Sequence, residues 1–349
     1  MRLLLCPGLA LMLAAQALHA QQSEADRQLL FDIRVRAEIG DAKAQNELGR
    51  VFFRGTLGVA KDEVEGVGWF RKAAEQHYAV GEFFLGGCYA TGQGVTKDSV
   101  EAVEWFRKAA GQNLAEAQYG LGACYATGQG VTKDYAEAVK WFRKAAGQNL
   151  VEAQYGLGVC YNAGQGVTKD SVEAVKWFRK AAEQDNSECQ FSLGFCYATG
   201  QGVTKDYAEA VKWLRKAAEQ NFAEAQYGLG VCYATGQGVT KNYVEAVKWF
   251  RKAAEQNDAQ AQYNLGICYA NGRGVTTDKE EVEVYKWILL AAEKGHEQAK
   301  KSLIALDHNM SRVQIAEGKR RADEWKGGHL ITNESILGAP ILYRLSEKR

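Results

Sequence analysis

Residues 117–146 read AQYGLGACYATGQGVTKDYAEAVKWFRKAA, and the same words return before and after them at a spacing of 36. Tryptophan marks the period: Trp69, Trp105, Trp141, Trp177, Trp213 and Trp249 are each 36 residues apart, and Trp287 follows after 38. A period of this size belongs to an array of supersecondary units that stack on one another, because no single unit can bury its own apolar faces. Seven units begin near Ala44, Val80, Glu116, Glu152, Glu188, Glu224 and Gln260. The fold class expected is all-α.

Within one unit the punctuation resolves two helices. The first is expected from Ala115 to Ala126, capped by Asn113 with Glu116 and stopped at Gly128, where glycine takes the left-handed cap conformation. After the loop GQGVTKD, Asp134 caps a second helix with Glu137 reaching back, ending near Gln148; Asp98, Asp170 and Asp206 repeat the cap. On this second helix Ala138, Trp141, Phe142 and Ala145 form one apolar stripe while Lys140, Arg143 and Lys144 face away. The first helix is apolar on two sides and reads as an inner-layer helix. Small residues at Gly120, Gly122, Ala145 and Ala146 are expected to let the paired helices approach.

The pattern A-x-x-x-L-G-x-x-Y-x-x-G-x-G-V-x-x-D-x-x-x-A-x-x-W-x-x-x-A-A, from Ala117 to Ala146, resembles the Sel-1-like repeat, a relative of the tetratricopeptide repeat with a longer loop. The resemblance covers Ala44 to about Gln298. It implies a right-handed α/α solenoid of about seven 36-residue helix-turn-helix repeats, with first helices lining a concave groove, and an adaptor or scaffold role. Repeat 1 departs from the pattern, with Phe52 and Phe53 for Cys-Tyr, one extra loop residue, and Gly66 and Gly68 in its second helix; it is expected to be the softest. Repeat 7 carries two inserted residues around Thr277 to Glu281.

The ends divide into further segments. Residues 1–20, MRLLLCPGLALMLAAQALHA, have one basic residue, an apolar run interrupted by Pro7, Gly8 and Gln16, and small residues at Ala17 and Ala20, the pattern of a secretory signal peptide. The run is short of the roughly 20 residues of a membrane span. Residues 21–43 read as a capping helix, 44–297 as the repeats, and 298–326 as closing helices, Ala299 to Leu306 and Ser311 to Trp325. From Gly327 to the end the composition changes, and a tail without helical period is expected, whose apolar residues could dock on the last repeat or a neighbour's groove. The placement expected is exported, periplasmic or extracellular.

The chain has 43 basic and 42 acidic residues; loss of residues 1–20 removes Arg2 and leaves 42 of each. With Lys and Arg interleaved with Glu in every repeat, neither nucleic acid nor an anionic membrane surface is a favoured partner. Cys88, Cys124, Cys160, Cys196, Cys232 and Cys268 fall one per repeat. Stacked equivalents lie roughly 8–10 Å apart, and a disulfide needs Cα atoms closer than about 7 Å, so free, buried thiols are expected. Cys189 with Cys196 or Cys160 is the one pairing left open.

No metal, cofactor or catalytic constellation is legible. HEQAK at His296 lacks the second histidine of a zincin helix, and GQGVTKD lacks the Gly-Lys-Ser/Thr of a phosphate loop. Catalytic sites are asymmetric, whereas here nearly every distinctive residue recurs. If helix-A residues face a groove, Phe83, Tyr119, Tyr155, Phe191, Tyr227 and Tyr263 form an aromatic ladder. Beside it runs a position that varies as Gly87, Ala123, Val159, Phe195, Val231 and Ile267. Both rows could equally be core packing. The reading is a non-enzymatic, monomeric or weakly associating scaffold that binds other proteins or peptides. The alternative is a cell-wall-related hydrolase, β-lactamase-like or peptidoglycan-binding, as linked to cysteine-rich relatives, although the second cysteine per repeat that marks those relatives is missing here.

Overall fold

The computed structural model describes residues 23–275 and 280–333. Among them are 17 helices and no strand, arranged in two compact units that divide after Gln148. The first unit opens with α1 (Glu24–Glu38). Three helix pairs follow: α2 (Ala42–Arg54) with α3 (Glu63–Glu75), α4 (Ala79–Thr91) with α5 (Ser99–Gly111), and α6 (Ala115–Thr127) with α7 (Tyr135–Gly147). The second unit holds four pairs: α8 (Val151–Ala163) with α9 (Ser171–Ala182), α10 (Ser187–Thr199) with α11 (Tyr207–Glu219), α12 (Ala223–Thr235) with α13 (Tyr243–Glu255), and α14 (Ala259–Ala270) with α15 (Glu281–Glu293). It closes with α16 (Glu297–Asn309) and α17 (Arg312–Asn333). This is the α/α solenoid class, seven helix-turn-helix repeats. The signal-peptide segment and the insertion around Thr277 lie outside the described residues, apart from the start of α15.

Each second helix up to α13 starts on an Asp or Asn cap, as its sequence dictates. Asp134 Oδ1 accepts from the backbone N–H groups of Ala136 and Glu137 at 2.9 and 3.0 Å, filling two donors that the helix start leaves open. Glu137 does not reach back; it pairs with Lys140 at 2.7 Å. The first helix is capped differently from the expectation. Leu114 occupies the cap position with no side-chain bond. Asn113 instead sits one residue earlier in the left-handed region, φ 66°, which Asn tolerates better than most residues. Its Oδ1 accepts from Gln118 Nε2 at 2.9 Å and Gln148 Nε2 at 3.2 Å.

Those glutamines knit the repeats together. Gln45, Gln118, Gln154, Gln190, Gln226 and Gln262 are all buried. In the second unit Gln190 donates to Ala182 O at 3.2 Å in the preceding second helix, and accepts from Gln220 at 2.8 Å in its own. Gln226 repeats this with Ala218 O and Gln256. One side chain thus ties three helices. Buried polar groups are tolerated when bonded in this way.

Steric fit sets the spacing inside a pair. A Cβ on Gly122 would lie 2.7 Å from the Phe142 ring, and one on Gly230 2.6 Å from Phe250. Only glycine lets the ring of the second helix lie flat on the first. In the loop, Gly202 has φ 71°, and a Cβ there would be 2.0 Å from Ser171 O at the start of the preceding second helix. That contact seats each loop on its neighbour. Gly120 differs from what was expected: a Cβ there would meet Phe106 at an ordinary 3.7 Å, so helix approach does not require it.

At the C-terminal end, α17 packs on α15. Gly318 lies against Tyr285, Trp325 meets Trp287 edge-on at 5.9 Å, and Arg321 pairs with Glu283 at 2.9 Å. The expected break at Gly327 is not there: α17 runs through Gly327 and Gly328 to Asn333. Glycine in a helix costs only about 1 kcal/mol, and the contacts just before it, including Lys326 to Glu293 at 3.2 Å, hold the helix in place. The remainder of the expected tail, 334–349, lies outside the described residues.

Two glycine substitutions separate packing from propensity. Gly122→Ala is expected to destabilise by about 1–3 kcal/mol through overpacking. Gly68→Ala, which meets nothing within 4 Å, is expected to stabilise by about 0.5–1 kcal/mol. Urea unfolding of both variants beside the parent checks the opposite signs.

Candidate functional site

The residues of the expected ladder sit on the first helices, on the side turned away from their buried Ala-Leu-Cys face. In the first unit Phe83 is buried, 5% exposed, tilted on Phe106 at 5.8 Å. It is core and presents nothing to a partner, and the neighbouring Gly87 is buried too. Tyr119 is half-buried, its ring 5.6 Å from Phe142, with Ala123 half-buried beside it. In the second unit Tyr155, Phe191, Tyr227 and Tyr263 are all half-buried. Each lays one side of its ring on an aromatic neighbour: Phe178 at 6.0 Å, Phe222 at 5.5 Å, Phe250 at 6.0 Å and His296 at 4.5 Å. Phe83 is thus core, whereas from Tyr119 onward each ring packs on an aromatic neighbour and is half-buried.

The variable position is more exposed. Val159 is 37% and Phe195 51% exposed, while Val231 and Ile267 are half-buried. A half-exposed phenylalanine on an ordered helix, with apolar residues at the equivalent places on the helices to either side, makes an apolar strip across α8, α10 and α12. Carboxylates run along its edge. Burial first, and then the Glu188 charge, push the Tyr155 hydroxyl up from its ordinary value. For Tyr227 burial dominates, Asp258 adds to it, and the bond from Asn264 Nδ2 at 3.5 Å opposes it.

The basic side chains lie elsewhere. In every repeat but the last, the second-helix Trp carries a Lys three residues on: Lys180 lies 4.4 Å from the Trp177 ring, Lys216 4.5 Å from Trp213 and Lys252 4.3 Å from Trp249, in cation–π range. The arginines at the intervening position reach the next repeat: Arg179 donates to Tyr197 at 2.7 Å, Arg215 to Tyr233 at 2.7 Å and Arg251 to Tyr269 at 2.9 Å. The charges that alternate along the chain are thus sorted by helix.

The cysteines from Cys88 to Cys268, Cys189 included, are free and buried. Burial pushes the Cys88 thiol up to about 12 and Cys124, Cys196 and Cys268 up to about 11; Cys189 also moves upward. None is a thiolate near neutral pH, the form a nucleophile or metal ligand needs. Among the described residues no three His, Cys, Asp or Glu side chains come together as a metal site, and no helix is long and apolar enough to cross a membrane.

One buried group breaks the repeat. Glu82 stands where the other first helices carry glutamine, fully buried. Its Oε2 accepts from Gln112 at 2.8 Å, while Oε1 has no hydrogen-bond partner and faces His77 Nδ1 at 3.7 Å. Sequence reading passed over the whole glutamine row, although a single polar residue at the same place in each apolar helix was its signal.

The comparisons with known proteins agree with this architecture. The family model described as Sel1 repeat matches residues 42–78, 79–114, 115–150, 151–186, 187–222, 223–258 and 259–296. A protective antigen of uropathogenic Escherichia coli displaying an SLR fold superposes with a TM-score of 0.75 at 37% identity, over 87% of this chain. This chain spans 64% of that protein's length. A Sel1 repeat protein from Oxalobacter formigenes gives a TM-score of 0.65 at 35% identity, covering 79% of each chain. No curated protein matches the sequence.

Desolvation raises the Glu82 carboxyl above its ordinary value, against the bond from Gln112 and the charge of His77. A carboxyl whose folded value is raised costs stability as pH climbs through the unfolded value and ionisation begins. Glu82→Gln restores the repeat's own residue. It is expected to raise stability at pH 7 by about 1 kcal/mol, with the gain closing near pH 3, where both side chains are neutral. Denaturation midpoints measured across pH 3 to 8 test this; a gain that does not vary with pH would rule out ionisation of Glu82 as its source.

Proposed function

This chain is a member of the Sel1 repeat family, whose repeats generally mediate protein–protein contacts and are generally non-enzymatic, and on that premise we propose that it is a scaffold that docks other proteins or peptides on its first-helix face. The observation that carries the reading is Phe195, 51% exposed on α10, with Val159 on α8 and Val231 on α12. Keeping an apolar ring in water serves no purpose in packing, and apolar strips rimmed by polar residues mark interaction surfaces. Tyr155, Phe191, Tyr227 and Tyr263 extend the strip. An extended or helical peptide is the kind of ligand such a surface suits.

The signal-peptide pattern of residues 1–20 supports an exported protein, acting in a periplasm or outside the cell. No observation favours the hydrolase alternative, since the thiols are buried and protonated.

The half-exposed residues make a cleaner test than the ladder rings, whose truncation would also open the core. The double variant Phe195→Ala with Val159→Ala is expected to keep its helicity and to melt within a few degrees of the parent. Surface truncations of this kind usually cost about 0.5 kcal/mol or less. In a pull-down from envelope extract it is expected to lose a partner that the parent retains. A folded double variant that keeps every partner would move the working surface to the loops or the second helices.

A further inference from the structure

The first helices of the second unit hold an unusual balance of charge. In α8, α10, α12 and α14, the segments VEAQYGLGVCYNA, SECQFSLGFCYAT, AEAQYGLGVCYAT and AQAQYNLGICYA, there is no Lys, Arg or His. α8, α10 and α12 carry one charged residue each, Glu152, Glu188 and Glu224, three residues before a ladder ring, and α14 carries none. One helical turn separates positions three and four apart, so carboxylate, ring and variable residue line up on one face. Glu224 is exposed and the other two are half-buried. On the second helices Lys180, Lys216, Lys252 and Arg179, Arg215, Arg251 are held by Trp and Tyr partners, and Lys176, Lys212 and Lys248 pair with Glu173, Glu209 and Glu245.

We propose that the face of α8, α10 and α12 takes an extended segment of another protein in which lysine or arginine side chains alternate with apolar ones. This rests on the docking role proposed above and names the class of partner. The apolar side chains cover Phe195 and Val159, and the cations meet Glu152, Glu188 and Glu224. Tyr155 and Tyr227 offer ring faces to the same cations, an arrangement attractive in its own right. Facing adds a register: in the polyproline II conformation, three residues per turn at about 3.1 Å each, a three-residue repeat keeps its cations along one edge and its apolar side chains along the next. The segment that fits has a cation at every third residue.

The test uses the chain lacking residues 1–20 and three labelled dodecapeptides, (Lys-Leu-Ser)4, (Glu-Leu-Ser)4 and a shuffled version of the first, read by fluorescence anisotropy. The lysine peptide is expected to bind at least tenfold tighter than the glutamate peptide, to outbind its shuffled form, and to weaken as salt is raised. The variant Glu152→Gln, Glu188→Gln, Glu224→Gln is expected to lose roughly tenfold, at the scale of exposed ion pairs. Lys176→Gln, Lys212→Gln, Lys248→Gln on the second helices is expected to bind as the parent does. If both peptides bind equally and Phe195→Ala abolishes both, the strip docks apolar segments and the cationic class is wrong. If the triple carboxylate variant binds the lysine peptide like the parent, the carboxylates take no part and the proposal falls. If no peptide binds while the pull-down partner still depends on Phe195, the strip recognises a folded surface instead, which overturns the extended segment and leaves the docking role standing.

Discussion

The repeats hang on a buried glutamine side chain. A helix end leaves backbone carbonyls that need donors, and in an array each second helix ends against the first helix of the following repeat, shut away from water. Gln190, Gln226 and Gln262 supply the donor to Ala182, Ala218 and Ala254. Through Oε1, Gln190 and Gln226 also take a hydrogen bond from the glutamine that ends their own second helix. The same amide therefore fixes where one repeat stops and how the next begins. Where the row ends, the bond fails: Lys294 replaces the partner glutamine in the last pair, and Gln262 Oε1 is left without a partner. Glu82 is the other exception, a carboxylate where an amide would satisfy both sides.

Glycine and phenylalanine set the remaining distances. Gly122 against Phe142 and Gly230 against Phe250 bring the two helices of a pair as close as backbone allows, and the loop glycine of the Gly202 type seats the pair on its predecessor. With helices this close, the apolar stripe of the second helix is used up by packing, and its cations have only the outer rings to lie on. Lysine over Trp and arginine to Tyr follow from that. The overall neutrality of the chain hides a sorting in which second helices carry the positive charge and the first helices from α4 to α14 carry none, and the binding reading depends on that sorting more than on net charge.

The buried thiols illustrate the same economy. One cysteine at the same buried position of the first helix, in every repeat from the second on, acts as a small apolar side chain whose ionisation is suppressed by burial. The two kinds of feature that repetition leaves over, the variable position from Ala123 to Ile267 and the carboxylate row, are the ones that reach the surface.

Much was legible without coordinates. The 36-residue period, the two helices of each repeat, the Asp134 type of cap, the left-handed Gly128 and the free cysteines follow from local rules about turns, caps and periodicity, which act within a few residues and repeat with the sequence. What depended on residues 30 or more apart was not. The bond of Gln118 to Gln148, the turning of Asn113 from helix cap to left-handed acceptor, the burial of Phe83 and the exposure of Phe195 are decided by which helix lies against which. So is the run of α17 past Gly327, because contacts to α15 outweigh the glycines there. Sequence determined the unit and its count. Only tertiary structure decided how far each ring is buried, because that depends on the aromatic neighbour that packing brings to it.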